Sequence, residues 1–167
     1  MANTYTAIAT VTVGSGGAAD IEFTSIPATY TDLLILTSLR GTTAQIYEIV
    51  KLEFNGVTIN LSSRGLEGNG ASASSYTNTY IYISAADGAS ATASTFSNHY
   101  IYIPNYAGST NKSVSVDAVS ENNATTAYAS LQAGLWSDTA AITSAKLKPT
   151  GTFVQYSTAT LYGIKKN

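Results

Sequence analysis

His99 is the only histidine of the chain, and no cysteine accompanies it. A histidine-based metal centre would have to draw every other ligand from carboxylates, and a Ser-His-Asp arrangement would need a nucleophile motif that no serine here supplies. The acids Asp20, Glu22, Asp32, Glu48, Glu53, Glu67, Asp87, Asp117, Glu121 and Asp138 are dispersed. They show neither the spacing of an EF-hand loop nor a pair set by sequence distance for glycoside hydrolysis. The stretch Gly14-Ser15-Gly16-Gly17-Ala18-Ala19 has the Gly-x-Gly-x-x-Ala form of a dinucleotide-binding turn. That chemistry needs a helix N-terminus, whereas Asp20-Ile21-Glu22-Phe23 alternates like a strand. The sequence therefore nominates no catalytic, cofactor-binding or metal-ligating residue and reads as a non-enzyme. His99 reads as a packing residue, and Trp136, the single tryptophan, as core filling rather than a sugar platform.

The chemistry that remains belongs to tyrosine, with 12 in the chain. The pattern Tyr76-Thr77-Asn78-Thr79-Tyr80-Ile81-Tyr82-Ile83 returns nearly unchanged as Phe96-Ser97-Asn98-His99-Tyr100-Ile101-Tyr102-Ile103. On a strand successive side chains take opposite faces. Ile81, Ile83, Ile101 and Ile103 are thus expected in a core, and Tyr80, Tyr82, Tyr100 and Tyr102 on one second face. A phenol joins a large apolar ring to a polar tip and suits contact with a partner. Those residues, with Asn105 and Tyr106 in the loop that follows, are the expected subunit or partner interface.

The elements that must position them read as strands throughout. Residues 4–13 alternate, with Tyr5, Ala7, Ala9, Val11 and Val13 on one side and mostly threonines on the other, and Ile21 and Phe23 mark a second short strand. Leu33-Leu34-Ile35-Leu36 suits a strand covered on both faces. Residues 48–54 and 57–61, joined by Asn55-Gly56, predict a hairpin. The Ser-, Ala- and Gly-rich stretches 62–75 and 84–94 read as surface loops. Further strands are expected over 113–120, 128–136, 142–148 and 158–164. The fold expected is a single domain over residues 1–167, an all-β antiparallel sandwich, jelly-roll-like, with about eight to ten strands.

Composition narrows the partners. Charged residues make up 11% of the chain, against roughly 25% in an average soluble domain. A surface of small hydroxyl residues and tyrosine is cheap to desolvate and leans toward assembly. The net charge of −2 and scattered basic residues argue against nucleic acid. No stretch has the length and apolarity of a membrane span, and Met1-Ala2-Asn3-Thr4 does not open like a signal peptide. A protein made in a cytoplasm, without membrane partner, is expected.

Several segments resemble a family of tailed-bacteriophage virion proteins. They are Phe23-Thr24-Ser25-Ile26-Pro27-Ala28-Thr29-Tyr30-Thr31-Asp32-Leu33, the run from Ile101 through Pro104-Asn105-Tyr106-Ala107-Gly108 to Ser113, Gly134-Leu135-Trp136-Ser137-Asp138 through Ser144, and Ser157-Thr158-Ala159-Thr160-Leu161-Tyr162-Gly163-Ile164. The resemblance implies a structural β-domain without cofactor or catalytic residue, of the kind found in capsid decoration, head-fibre and tail-associated proteins. On this basis the expected function is a capsid decoration (cement) protein. It would form a homo-oligomer, expected as a trimer, bind the major capsid protein and sit on the virion surface after synthesis in the host cytoplasm. The alternative expectation is a tail- or fibre-associated module that recognises a surface glycan through tyrosines.

Overall fold

A computed structural model describes residues 4–123 and 126–165. They contain twelve strands and no helix: β1 (Thr4–Thr12), β2 (Ile21–Phe23), β3 (Asp32–Leu39), β4 (Tyr47–Phe54), β5 (Leu61–Gly68), β6 (Ala73–Asn78), β7 (Ile81–Asp87), β8 (Ser97–Pro104), β9 (Lys112–Ser120), β10 (Tyr128–Trp136), β11 (Ala145–Pro149) and β12 (Thr158–Lys165). All pair antiparallel in two sheets of unequal width, an eight-stranded one ordered β1-β12-β3-β8-β9-β10-β5-β6 and a four-stranded one ordered β2-β11-β4-β7. The all-β antiparallel sandwich is as expected, but the strands number twelve where about eight to ten were expected, and the split is eight and four. Five of the eight strands of the wide sheet lie beside a consecutive neighbour, the meander β8-β9-β10 and the pair β5-β6, which a jelly-roll reading does not anticipate.

The core lies between the sheets and follows from period-two alternation. Val114, Val116 and Ala118 of β9 face inward while their neighbours are exposed, so that β9 alternates without interruption. Ile81 and Ile83 from the narrow sheet and Ile101 and Ile103 from the wide one all reach zero exposure in one cluster with Phe54, Leu147 and Leu161. Trp136 is buried against Phe54 with ring centroids 5.7 Å apart, the packing role expected of it. His99 also lies inside, its ring nitrogens bonded to Thr37 Oγ1 and the Ala85 carbonyl.

Four local expectations need correction. Asn55 and Gly56 do form a tight turn, with φ of 51° and 70°, the pair of left-handed residues that a type I′ turn requires. No hairpin follows, because β4 is already paired with β11 and β7 and the chain leaves for the wide sheet. The Asn55 carboxamide oxygen accepts from the Thr143 and Ser144 N–H groups, which fixes the turn to the segment leading into β11. Second, residues 61–68 form β5, an interior strand of the wide sheet, instead of a surface loop, and the second Ser/Ala/Gly stretch opens with strand residues 84–87. Third, Leu36 of the apolar run is partly exposed although Leu33, Leu34 and Ile35 are buried. Fourth, β1 is an edge strand that is mostly exposed, with Ile8 and Val11 packed in part against the core: Tyr5 is 52% exposed, and a register shift between Ala7 and Ala9 breaks the one-sided row expected of it.

Candidate functional site

The two copies of the tyrosine motif do not share a surface. In the first copy the chain leaves β6 of the wide sheet at Asn78, turns at Thr79-Tyr80, and enters β7 of the narrow sheet; the second copy runs unbroken into β8. Ser63 of β5 holds that turn, its hydroxyl donating to the Tyr80 carbonyl and accepting from the Tyr82 N–H. Tyr80 and Tyr82 therefore end up with Tyr76, whereas Tyr100 and Tyr102 lie on the outer face of the wide sheet.

Tyr106 is corrected as an interface residue: it is fully buried, and its hydroxyl donates to the Pro27 carbonyl. Asn105 is exposed but works within its own turn, with φ of 49° and its side-chain N–H donating to Thr110 Oγ1. Its backbone N–H reaches Asp32 Oδ1 at 2.9 Å while Tyr102 donates to Asp32 Oδ2 at 2.7 Å. Asp32 thus ties the start of β3 to the end of β8, and Tyr102 is half-engaged in structure.

Tyr100 has a different setting. Register places Leu36 opposite Tyr100, Tyr100 opposite Asp117, Asp117 opposite Leu131, and Leu131 opposite Leu66. At the usual spacing of 4.7–4.9 Å between strands, this row crosses about 19 Å of outer sheet face. Leu36, Tyr100, Leu131 and Leu66 are all exposed, Leu131 at 58%, with Val119 and Leu135 beside them. No other element of the described chain packs over this face. Its exposed charges are Asp117 and, on β5, Arg64. The two leucines Leu66 and Leu131 were missed by sequence reasoning; on β10 the apolar residues Leu131, Ala133 and Leu135 take the outward positions, while Ser130, Gln132, Gly134 and Trp136 point inward.

Five other tyrosines meet in a cavity of about 200 Å³ lined by Tyr47, Ile49, Glu67, Tyr76, Asn78, Tyr80, Tyr82, Ala85 and Tyr128. It forms because the wide sheet continues beyond the free edge of β7. Glu67, Tyr76 and Asn78 project from the inner side of β5 and β6. Ile49 and Tyr82 come from the side of β4 and β7 opposite the core residues Val50, Leu52, Ile81 and Ile83. A local irregularity in β7, where Ser84 has φ of 91° and the register with β4 shifts, brings Ala85 opposite Ile49.

The rings stand at steep angles to one another. Tyr76 and Tyr82 are 5.8 Å apart at 52°, Tyr80 and Tyr82 6.5 Å apart at 78°, and Tyr47 and Tyr128 5.8 Å apart at 85°. Tyr76 donates to Glu67 Oε2 at 3.0 Å and accepts from Gln132 Nε2 at 2.6 Å. The Tyr82 ring is 9% exposed, yet its hydroxyl is neither bonded to a described residue nor sealed off, so it opens on the cavity. Burial above all, then the neighbouring Tyr76 and Glu67, raise the Tyr82 phenol well above its ordinary pKa. Burial is also the main cause of the raised value at Tyr76, where the Gln132 hydrogen bond opposes it and Glu67 adds to it. Both phenols stay protonated donors at any physiological pH. At the rim, Lys51 Nζ lies 4.6 Å from the centre of the Tyr80 ring.

Among the described residues no group of three or more His, Asp or Glu side chains is placed to hold a metal ion. Comparison with known proteins finds no family model that matches the chain, and no matching curated protein or solved structure.

Proposed function

We propose that the chain is a decoration protein of a tailed-bacteriophage capsid, which binds the outside of the assembled shell as a homo-oligomer, in a trimer, and stabilises it. The phage resemblance of several segments along the sequence motivates the reading. The observation that carries it is the uncovered outer face of the wide sheet. A face of this breadth that holds four exposed apolar side chains in one register row, Leu36, Tyr100, Leu131 and Leu66, is costly to leave in water. Its scarcity of ions makes it cheap to desolvate.

The occupant this face favours is a second copy of the chain. Asp117 and Arg64 supply one acid and one base on the same surface, which a contact between copies can neutralise by setting one against the other. A coat protein needs only modest affinity per contact, because many copies on a lattice raise the effective concentration of each. Binding only the assembled shell shifts the assembly equilibrium by mass action. Tyr100 and Tyr102 belong to this proposed interface; Tyr80 and Tyr82 do not.

The test is sedimentation of the purified chain together with binding to expanded capsids and to capsid precursors. A trimer that binds the expanded form and raises its melting temperature supports the proposal. A monomer that leaves both forms unchanged rejects it.

A further inference from the structure

The tyrosine-lined cavity at the β7 edge lies on a different part of the molecule from the proposed subunit face and is not used by it. We propose that this cavity is a binding site for one neutral sugar ring, a hexopyranose residue of a glycan.

The argument runs by charge, shape and donor inventory. Among the described residues that line the cavity, Glu67 is the only acidic or basic side chain, so an anionic ligand would meet a carboxylate at close range. A cationic ligand would be drawn to Glu67, but Lys51 already stands at the rim with its ammonium 4.6 Å from the centre of the Tyr80 ring, and two cations at such close range repel one another. A neutral ligand escapes both penalties. Its groups must satisfy what the walls offer. The two Glu67 oxygens accept only from Tyr76 and Ser74 and retain further lone pairs for donors. Asn78 adds an amide, and Tyr82 an unoccupied hydroxyl. A ring bearing several hydroxyls and apolar C–H faces supplies donors, acceptors and an aromatic-stacking surface together.

Size points to a single ring. The cavity of about 200 Å³ falls below the roughly 300 Å³ at which pockets for drug-sized ligands begin. The steep angles between neighbouring rings make walls instead of one flat platform, so one sugar is enclosed at its edges and a chain of stacked sugars is not accommodated.

The experiment is saturation-transfer NMR on the full chain with a panel of neutral methyl hexopyranosides, and with methyl glucuronide and choline as charged probes. The expected result is saturable binding of at least one neutral glycoside and none of the two charged probes. Tyr82→Phe removes a hydroxyl without described protein partners, so folding is preserved; the loss of one neutral hydrogen bond should weaken binding about 3- to 10-fold at unchanged Tm. Glu67→Gln should weaken it further, since bonds to charged acceptors are stronger. Failure of every neutral glycoside to bind, preference for choline or the glucuronide, or binding insensitive to both substitutions would overturn the proposal. None of these outcomes depends on capsid attachment, which is read by a separate assay.

Discussion

The ring of Tyr76 lies across Gly65 on the adjacent strand, so close that a Cβ added at Gly65 would stand 2.4 Å from Tyr76 Cε2 and 2.4 Å from Gln132 Oε1. The absence of a side chain on β5 is what lets Tyr76 lie down on the sheet and reach both Gln132 and Glu67. Gly65→Ala should therefore expel the ring, break that hydrogen-bonded chain and distort the cavity. The expected cost is about 1–3 kcal/mol, the range for overpacking a filled site. Urea denaturation of the variant measures it; an unchanged midpoint would show that Tyr76 has an equally good second position.

His99 makes stability depend on pH. The Ala85 carbonyl can only accept, so Nε2 carries the proton and Nδ1 accepts from the Thr37 hydroxyl 2.8 Å away. Burial lowers the pKa to about 4, against the weaker opposing pull of the Ala85 hydrogen bond and the Asp87 charge. Because the folded value lies below the unfolded value of roughly 6.5, the unfolded chain binds the extra proton between them. The contribution is complete above about pH 6.5 and is lost as pH falls toward 4, at up to about 1.4 kcal/mol per pH unit. Denaturation midpoints should drop from neutral pH to about pH 5, where most carboxylates are still ionised. His99→Gln should flatten that drop; an equal slope in the variant assigns the effect to other groups.

Arg40 is a peg for the loop over residues 88–96. Its guanidinium donates to the carbonyls of Thr92 and Thr95 through Nη1 and to those of Ala91 and Ala89 through Nη2. No described carboxylate forms an ion pair with it. The planar fork of donors serves acceptors spread along the loop, which a single ammonium cannot match. Arg40→Lys should cost about 1–3 kcal/mol, the range for stranded polar groups and bonds to charged donors. Limited proteolysis should cut first within 88–96 in the variant, and a cleavage pattern like that of the parent would count against the assignment.

Leu131 sits in the row between Asp117 and Leu66 and touches little of its own chain. Leu131→Lys should alter monomer stability by no more than about 0.5 kcal/mol, as for other exposed sites. In the proposed oligomer the same change puts a strongly hydrated ammonium, opposite Asp117 in register, where an apolar side chain is covered, and the cost of desolvating the added charge should shift sedimentation to the monomer. A variant that stays assembled moves the subunit contact elsewhere, with the open β1 edge the next place to look.

Strand β9 was legible almost to the residue because it alternates over nine positions with Val114, Val116 and Ala118 inward; β10 was legible as a strand, but its alternation is inverted, with Leu131 and Leu135 outward and Ser130 and Gln132 buried. Strand β5 was not legible, because its inward positions include Ser63 and Gly65, which carry no apolar signal. What fills the space above them is Tyr76, laid down from β6, and the turn at Tyr80 that Ser63 captures. The cavity was invisible for the same reason. Tyr47 and Tyr128 join Tyr80 and Tyr82 there from distant parts of the chain, and no spacing in the sequence links them.

By itself, then, the sequence determined that this is an all-β chain and that Ile81, Ile83, Ile101 and Ile103 point inward. Each of these follows from alternation, a property of one strand and its immediate neighbours. Only the tertiary structure decided that the duplicated motif is divided between two sheets, with Tyr80 and Tyr82 in a cleft and Tyr100 and Tyr102 on an open face. Strand pairing and the crossing between sheets are long-range choices, set by which surfaces complement one another once packed, and two nearly identical segments answer them differently because their partners differ.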